Sequence, residues 1–454
     1  MTTRDQIIQA QLTAYLAKLA KLVGFNTVSQ AGQHDLPAGG TYLVDLLQHD
    51  LKADVTVVPT DGAPAIVAQL TGTSDQTVLF YGHYDTMAPG DLAQWHTDPF
   101  QLTPQAGRLF GRGVGDNKGQ LMAQILGVYT YLQTHATLPL NIVFLIEGEE
   151  EQGSPNLAPT VTKLKTSLLA AVDLAVVIDG SMSQSGQHVL RLGNRGLFGF
   201  ELTAITGQVD NHSGNTGNVM PNAIVKLNTV LARLVKNGRV QLPHFYDGVP
   251  TTTEIPWDLV DALPFDALAI ARQLGLTHVP AQRDYYRRLM FEPTFNLNSY
   301  QAGTTGPDFK TIIPHQATVK VDCRLVGQQS IPAIEADLRQ ALASELAAGT
   351  LKLTIRGRIP ASVTALSMPK VQQIAGIIKS ATGAVVIEPM MPGTVPNYVW
   401  TDILKVPVVT IPYANFDQHN HAPNENLTET AFVAGIKIGY ELVDQLATVI
   451  GNSN

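Results

Sequence analysis

The chain has 454 residues, 44% of them hydrophobic and 15% charged, which is globular composition and excludes a largely disordered protein. Its length exceeds what one ordinary core holds, so two domains are expected. The formal charge of −8, with no cluster of Lys and Arg interleaved with aromatics, speaks against a nucleic-acid partner. Reading along the chain, Asp5 to Val23 and Thr41 to Leu51 carry apolar residues at helical spacing. Short apolar or β-branched runs at Asp54 to Val58, Ala65 to Leu70 and Thr77 to Tyr81 predict strands. A helix is expected over Asn117 to Thr134, a buried strand over Asn141 to Glu147, a helix over Pro159 to Ala170 and a strand over Leu174 to Ile178. Strands alternating with helices imply an α/β unit with a mostly parallel sheet covered on both faces.

The pattern changes near Gly193. An alternating strand at Leu197 to Ile205 is followed by a helix at Asn222 to Val235 and a strand at Thr318 to Leu325. A helix at Ile331 to Leu346 and a strand at Leu351 to Ile355 complete a smaller α+β unit. A long insertion, Pro243 to Pro293, separates its parts. Helix–strand alternation resumes from Lys370 and ends in a helix over Thr430 to Ile450. The expected organisation is one discontinuous domain, 1–194 and 362–454, interrupted by a second domain at 195–361.

Cys323 is the only cysteine, so neither an intrachain disulfide nor a multi-thiolate metal site can form. The N-terminus lacks the apolar core of a signal peptide, and no run reaches the ~20 apolar residues of a membrane span. A cytoplasmic protein with no membrane partner is expected.

Five stretches end in metal-binding side chains. They are Tyr81-Gly-His-Tyr-Asp85, Gly113-Val-Gly-Asp-Asn-Lys-Gly119, Glu147-Gly-Glu-Glu-Glu-Gln-Gly-Ser154, Val176-Val-Ile-Asp-Gly180 and His419-Asn-His-Ala-Pro-Asn-Glu425. Open α/β sheets place their sites at strand ends. His83 and Asp85 alternate in extended backbone and point the same way, so one can ligate while the other orients its neighbour. A core histidine bonded to a carboxylate would look the same. The glycines around Asp116 match neither the dinucleotide fingerprint nor the P-loop; they suit close backbone approach to a crowded centre, where Asp116 can bridge two ions. Glu149, Glu150 and Glu151 would repel each other at a buried strand end unless cations or protons intervene. One of them can bind metal while its neighbour serves as a general base. Asp179 alone reads as a turn aspartate and His421 alone as a loop histidine. Their weight comes from the count, since two histidines and three carboxylates fill two sites around a shared aspartate.

In combination these motifs resemble the dinuclear zinc hydrolases that include carnosinase and related dipeptidases, aminoacylase, acetylornithine deacetylase and succinyl-diaminopimelate desuccinylase. The resemblance runs from about Tyr81 to Glu425. It is carried by Gly82-His-Tyr-Asp85 with Trp95 and Asp98-Pro-Phe100, by Gly111-Arg-Gly-Val-Gly-Asp-Asn-Lys-Gly119, by Glu150-Glu-Gln-Gly-Ser154 and by His421-Ala-Pro-Asn-Glu425. It implies a zinc-exopeptidase-like catalytic domain interrupted by a ferredoxin-like lid and dimerisation domain. It further implies two divalent ions, zinc with manganese or cobalt as alternatives. Asp116 would bridge them, His83 and Asp179 would complete one site, and Glu151 and His421 the other. Glu150 would be the base and Asp85 the carboxylate supporting a ligand. The peptide after the bridging aspartate, Asp116–Asn117, would be cis.

The dipeptidase branch is the nearest in pattern. Phe245-Tyr-Asp-Gly-Val249, Ala262-Leu-Pro-Phe-Asp266 and Lys310-Thr-Ile-Ile-Pro314 followed by Arg324 are similar to it. In Asp210-Asn-His-Ser-Gly214, His212 is expected to reach the site of a neighbouring subunit in a homodimer. Gly393-Thr-Val-Pro396 resembles the loop near the substrate carboxylate, with Thr394 where serine is frequent. Arg324, Thr394 and Gly393 would then bind substrate. Without the resemblance, His212 reads as a turn histidine and Arg324 as a strand-edge arginine. The implied activity is hydrolysis of dipeptides or short peptides. A deacylase of N-acyl amino acids, of desuccinylase or deacetylase type, uses the same centre and is the alternative; a catalytically silent metal-binding scaffold is a third reading.

Overall fold

The computed structural model describes residues 2–29, 35–304 and 306–451. Its larger sheet has eight strands, in the order Asp54–Val58, Ala65–Leu70, Asn141–Glu147, Thr77–His83, Leu174–Val177, Val408–Thr410, His188–Arg191 and Val385–Glu388. The four central strands are parallel. Side chains of the Thr77–His83 strand alternate between two cores. Val78 and Phe80 pack under the helices Thr3–Val23, Lys118–Leu132, Met368–Thr382 and Glu429–Gly451, while Leu79 and Tyr81 pack with Val161 and Trp400 on the other face. Both faces are thus covered, which is why the central strands read as unbroken apolar runs.

Both edges depart from the parallel expectation: His188–Arg191 pairs antiparallel with Val408–Thr410, and the opposite edge is a hairpin. Asp54–Val58 and Ala65–Leu70 form an antiparallel hairpin, and the second of these pairs antiparallel with Asn141–Glu147. A tight turn between consecutive strands permits only antiparallel pairing, and no helix separates these two. Sequence patterning also missed the four-residue His188–Arg191 strand. The second helix starts at Leu36, five residues before the expected Thr41, with Pro37 in its first turn. The expected Pro159–Ala170 helix spans Leu157–Leu164 instead, and the expected Ile331–Leu346 helix is interrupted at Leu342.

The inserted unit is a separate four-stranded antiparallel sheet, in the order Asn296–Ala302, Gln316–Leu325, Gly196–Ile205, Leu351–Ile359. With the helices Ala223–Leu234 and Ile331–Ala341 this is a βαββαβ unit, the ferredoxin-like arrangement. Phe198, Phe200, Leu202 and Ala204 alternate inward against Leu227, Ile334 and Leu338. The segment 243–293, which has no assigned elements in the sequence reading, holds three short helices, Trp257–Asp261, Ala267–Leu274 and Gln282–Phe291. Val260, Leu263, Met290 and Phe291 from this segment pack with Val386 and Met390, so it docks on the last strand of the larger sheet. Among the described residues no helix is long and apolar enough to cross a membrane.

Candidate metal centre

The strand Thr77–His83 delivers His83 to the carboxyl edge of the larger sheet, and its neighbours Asn141–Glu147 and Leu174–Val177 bring Glu150, Glu151 and Asp179 to the same edge. Asp116 arrives from the loop that opens the Lys118–Leu132 helix, and His421 from the long connection after Val408–Thr410. His83 and Asp85 are fully buried. His83 Nε2 lies 3.2 Å from Asp116 Oδ1 and 3.9 Å from Asp179 Oδ2 and Glu150 Oε2. His421 Nε2 lies 3.3 Å from Asp116 Oδ2 and 3.0 Å from Glu151 Oε2.

Two ligand groups result, His83 with Asp116 and Asp179, and His421 with Asp116 and Glu151, and within each the donor atoms lie within 4.8 Å of one another. Donors about 2.1 Å from one ion are at most about 4.2 Å apart, so each group is close to the dimensions a divalent ion requires. The two groups share only Asp116, and each takes a different oxygen of it.

Asp85 organises this cluster. Its Oδ1 lies 3.2 Å from His83 Nδ1 and accepts from the Glu150 backbone N–H at 3.1 Å. Its Oδ2 accepts from the Glu151 N–H at 3.1 Å and from Ser29 Oγ at 2.8 Å. One carboxylate therefore fixes the ring of one ligand and the backbone that presents the Glu150–Glu151 pair. A carboxylate on Nδ1 leaves Nε2 free to bind a metal, once the ring is deprotonated there.

The electrostatics follow from carboxylates crowded at depth around two imidazoles. Burial pushes the Glu150 pKa well above the carboxylate range against the attraction of His83, with Asp179 and Asp116 adding repulsion. Burial, with the Asp116 charge next, raises Asp179 to about 6. Hydrogen bonds to Asp116 and Glu151 push His421 up to about 10. For His83, burial favours the neutral ring, but hydrogen bonds to Asp116 and Asp85 outweigh it and the pKa stands well above normal. A divalent cation among these donors would favour the ionised carboxylates and the neutral rings.

Several supporting residues carried no assigned role in the sequence reading. Glu425 is fully buried. Its Oε1 accepts from the N–H groups of Gly115 and Asp116, both at 2.9 Å, and its Oε2 accepts from Arg112 Nη1 at 2.7 Å and Gly113 N at 3.0 Å. This carboxylate holds the loop that carries Asp116. Gly113 has φ +83°, and a Cβ there would also stand 2.5 Å from Thr86 Cγ2, so the loop's path requires glycine. Asn117 Nδ2 donates to Asp179 Oδ1 at 3.2 Å, and Asn420 Nδ2 to Asp116 Oδ2 at 3.1 Å. The Asp116–Asn117 peptide is cis. The signal for Glu425 was its place four residues after His421 in a quoted motif; its partners are backbone groups that no side-chain pattern reveals.

The other candidate residues fall into two further groups. Arg324 Nη1 donates to Thr394 Oγ1 at 2.7 Å, beside Gly393. His212 is exposed on the inserted unit. Its Nδ1 accepts from the Gly214 N–H at 2.9 Å, and its Nε2 lies 3.1 Å from Thr311 Oγ1. Its hydrogen bonds are thus to its own unit and not to the carboxylate cluster.

The sequence pattern of Peptidase family M20/M25/M40 matches residues 79–445. The chain belongs to this family. Among curated M20/M25/M40 relatives, the Beta-Ala-His dipeptidase of Homo sapiens is 28% identical over 388 residues, covering 83% of this chain and 76% of that protein. The Cys-Gly metallodipeptidase dug1 of Schizosaccharomyces pombe is 27% identical over 415 residues, covering 88% and 87%. The solved M20 family metallo-carboxypeptidase Sso-CP2 from Sulfolobus solfataricus superposes with a TM-score of 0.88 at 27% identity, over 96% of this chain and 99% of that one. Membership makes this chain a hydrolase of the metallopeptidase class, with the family's mostly parallel main sheet and inserted lid.

Proposed function

We propose that the protein is a dinuclear metallodipeptidase, cutting dipeptides or very short peptides. One observation carries the reading: Asp116 turns one oxygen to each of two histidine–carboxylate groups. The dipeptidase names of the relatives Beta-Ala-His dipeptidase and dug1 support the substrate class. His83, Asp116 and Asp179 would hold one divalent ion and Asp116, Glu151 and His421 the other, zinc being favoured by the imidazole and carboxylate donors. Such a pair of ions, when bound, supplies Lewis acidity towards water and the scissile carbonyl.

The chain's own groups supply the proton chemistry. Glu150 Oε2 faces the donor cluster while its backbone N–H is tied to Asp85. As general base it takes a proton from the attacking water as the oxygen adds to the peptide carbon. It returns that proton to the amine nitrogen as the C–N bond breaks. Asp85 keeps His83 and the Glu150–Glu151 backbone in register through these steps. Arg324, with Thr394 and Gly393 beside it, is suited to the peptide's terminal carboxylate, because a planar guanidinium pairs with two oxygens.

His212 completes a neighbouring site in this reading. Its Nδ1 already accepts a backbone hydrogen bond, so the neutral ring carries its proton on Nε2 and, by exchanging its contact with Thr311 Oγ1, can donate to a developing oxyanion. The exposed position suits action across a two-fold homodimer built on the inserted lid domain, 195–361, over the catalytic domain, 1–194 and 362–454. A cytoplasmic setting is supported by the single thiol, Cys323, buried and unpaired.

The test is a substrate panel on zinc- or manganese-loaded protein. Release of free amino acids from dipeptides supports the reading. Release of acid from N-acyl amino acids, with dipeptides untouched, replaces it with a deacylase.

A further inference from the structure

A second arginine, Arg195, lies close enough to Arg324 to feel its charge. Leu197 sits directly opposite Arg324 in the antiparallel pair of Gly196–Ile205 with Gln316–Leu325. Arg195 lies two residues before Leu197, immediately ahead of that strand, and the charge of Arg324 acts on it, so the two guanidinium groups are near one another. Arg195 is only 7% exposed. Its Nε donates to the Pro392 carbonyl at 2.7 Å and its Nη1 makes a long 3.5 Å contact with the Glu292 carbonyl. Pro392 is followed directly by Gly393 and Thr394, and Thr394 Oγ1 already receives Arg324 Nη1. Both guanidinium groups therefore flank the same short loop.

Neither arginine is in an ion pair among the described residues. Burial, with repulsion from Arg324, lowers the Arg195 pKa to about 10. Asp322, whose charge partly offsets these effects on Arg195, stands opposite Gly199 and accepts at its Oδ1 from Asn296 Nδ2 at 2.9 Å and Asn298 Nδ2 at 3.0 Å. Two like charges, one of them buried and neither paired, are costly to keep together unless an anion joins them. Elsewhere the chain pairs its buried arginines with carboxylates: Arg112 with Glu425 at 2.7 Å, and Arg191 with Glu388 at 2.7 Å.

We propose that Arg195, Arg324 and Thr394 form a recognition site for two carboxylates, and that the preferred substrates are dianionic: peptides whose C-terminal residue is Asp or Glu. The inference rests on the dipeptidase reading and adds Arg195 as the specificity-determining residue. Arg324 takes the terminal carboxylate and Arg195 the side-chain carboxylate. A second carboxylate can also come from an acyl group, as in an N-succinyl amino acid, and the test separates the two sources.

The experiment compares metal-loaded protein on Ala-Glu, Ala-Asp, Ala-Gln, Ala-Ala and N-succinyl-alanine. Ala-Glu should exceed Ala-Gln in kcat/KM by about tenfold or more, through KM, because a site built for charged groups rejects the isostere that lacks one. Arg195→Met should lower kcat/KM for Ala-Glu about tenfold more than for Ala-Gln, and Arg195→Lys should restore part of the difference. Thr394→Val, which removes the hydroxyl that receives Arg324 at nearly constant size, should instead weaken Ala-Glu and Ala-Gln alike and leave their ratio unchanged; a narrowed ratio would move the side-chain carboxylate from Arg195 to the Arg324 side. Calorimetric titration of Glu150→Gln protein with Ala-Glu and Ala-Gln reads the preference without turnover. Equal rates and equal binding for the acid and amide peptides, with both cleaved, overturn the dicarboxylate site and leave the dipeptidase reading standing. Cleavage of N-succinyl-alanine alone, sensitive to Arg195, keeps the site and overturns both the peptide source and the dipeptidase reading.

Discussion

Replacing Glu425 with glutamine tests whether one buried carboxylate holds the loop that carries Asp116. The wild-type side chain divides its work between two oxygens: Oε1 serves the N–H groups of Gly115 and Asp116, and Oε2 serves Gly113 N and the Arg112 guanidinium. In Glu425→Gln only one oxygen remains. Whichever side the new NH₂ group faces, it meets two donors and cannot accept from either. If it faces Arg112, a buried cation loses its carboxylate, and the guanidinium keeps the carbonyls of Ala88 and Ala422 at 3.3 and 3.2 Å and the face of Trp95. Breaking a buried pair from one side costs about 3–5 kcal/mol. If the amide faces Gly115 and Asp116 instead, two orphaned N–H groups cost about 1–3 kcal/mol each. Either way the loss is about 2 kcal/mol or more. Urea unfolding of metal-stripped protein at pH 8, above the value of about 7 to which burial pushes Glu425, measures it as a lowered midpoint. Competition with a chelator should also show metal affinity reduced about 10–100-fold, as expected when a residue that orients a ligand is lost. A stability loss below about 1 kcal/mol with unchanged metal affinity would show that the loop is held by other contacts and refute this account of Glu425.

Glu150→Gln should retain its metal, measured by elemental analysis, while turnover falls by about two or more powers of ten; near-normal turnover would assign the base elsewhere. Glu151→Gln should lose metal occupancy, and full occupancy would remove Glu151 from the ligand set. An inactive His212→Ala protein mixed with inactive Glu150→Gln protein should regain activity after subunit exchange, because one site of each heterodimer then carries both native groups. Verified exchange without activity, or a fully active monomer, counts against action in trans. Burial depresses His188 to about 4 against a normal value near 6.5. The unfolded chain therefore binds this proton first, and the stability present above pH 6.5 is lost as pH falls towards 4, by about 3 kcal/mol in all. His188→Asn should flatten that part of the stability–pH curve, and an unchanged curve would show that His188 is charged in the fold.

The residues that announce themselves in this sequence are those whose chemistry and position coincide. Val78 to Tyr81 and Ile142 to Ile146 are continuous apolar runs because both faces of the sheet are covered, so the strands and their carboxyl ends can be placed from hydrophobicity alone. Ionisable side chains just beyond those ends then stand out, and His83, Asp116, Glu151, Asp179 and His421 do converge in space. The helices at 257–291 gave no comparable signal: they are short, and only a few residues such as Val260 and Met290 are buried, too little for a helical period to emerge.

Position alone, without a matching chemical signature, is what hides the remaining contributors. Glu425 acts mainly on backbone N–H groups that every residue possesses, so its partners follow from the loop's path and from no pairing of side-chain types. Arg195 sits between Asn194 and Gly196 with no periodic context, more than a hundred residues from Arg324 in sequence. Only the register that sets Leu197 opposite Arg324 makes the two guanidinium groups neighbours. A shift of that register by one residue would turn Leu197 and Arg324 to opposite faces of the sheet and carry Arg324 away from Arg195. The unpaired charge at this position is therefore a property of strand pairing, and the preference for acidic peptides that it implies can be lost by repacking the lid sheet while every metal ligand stays in place.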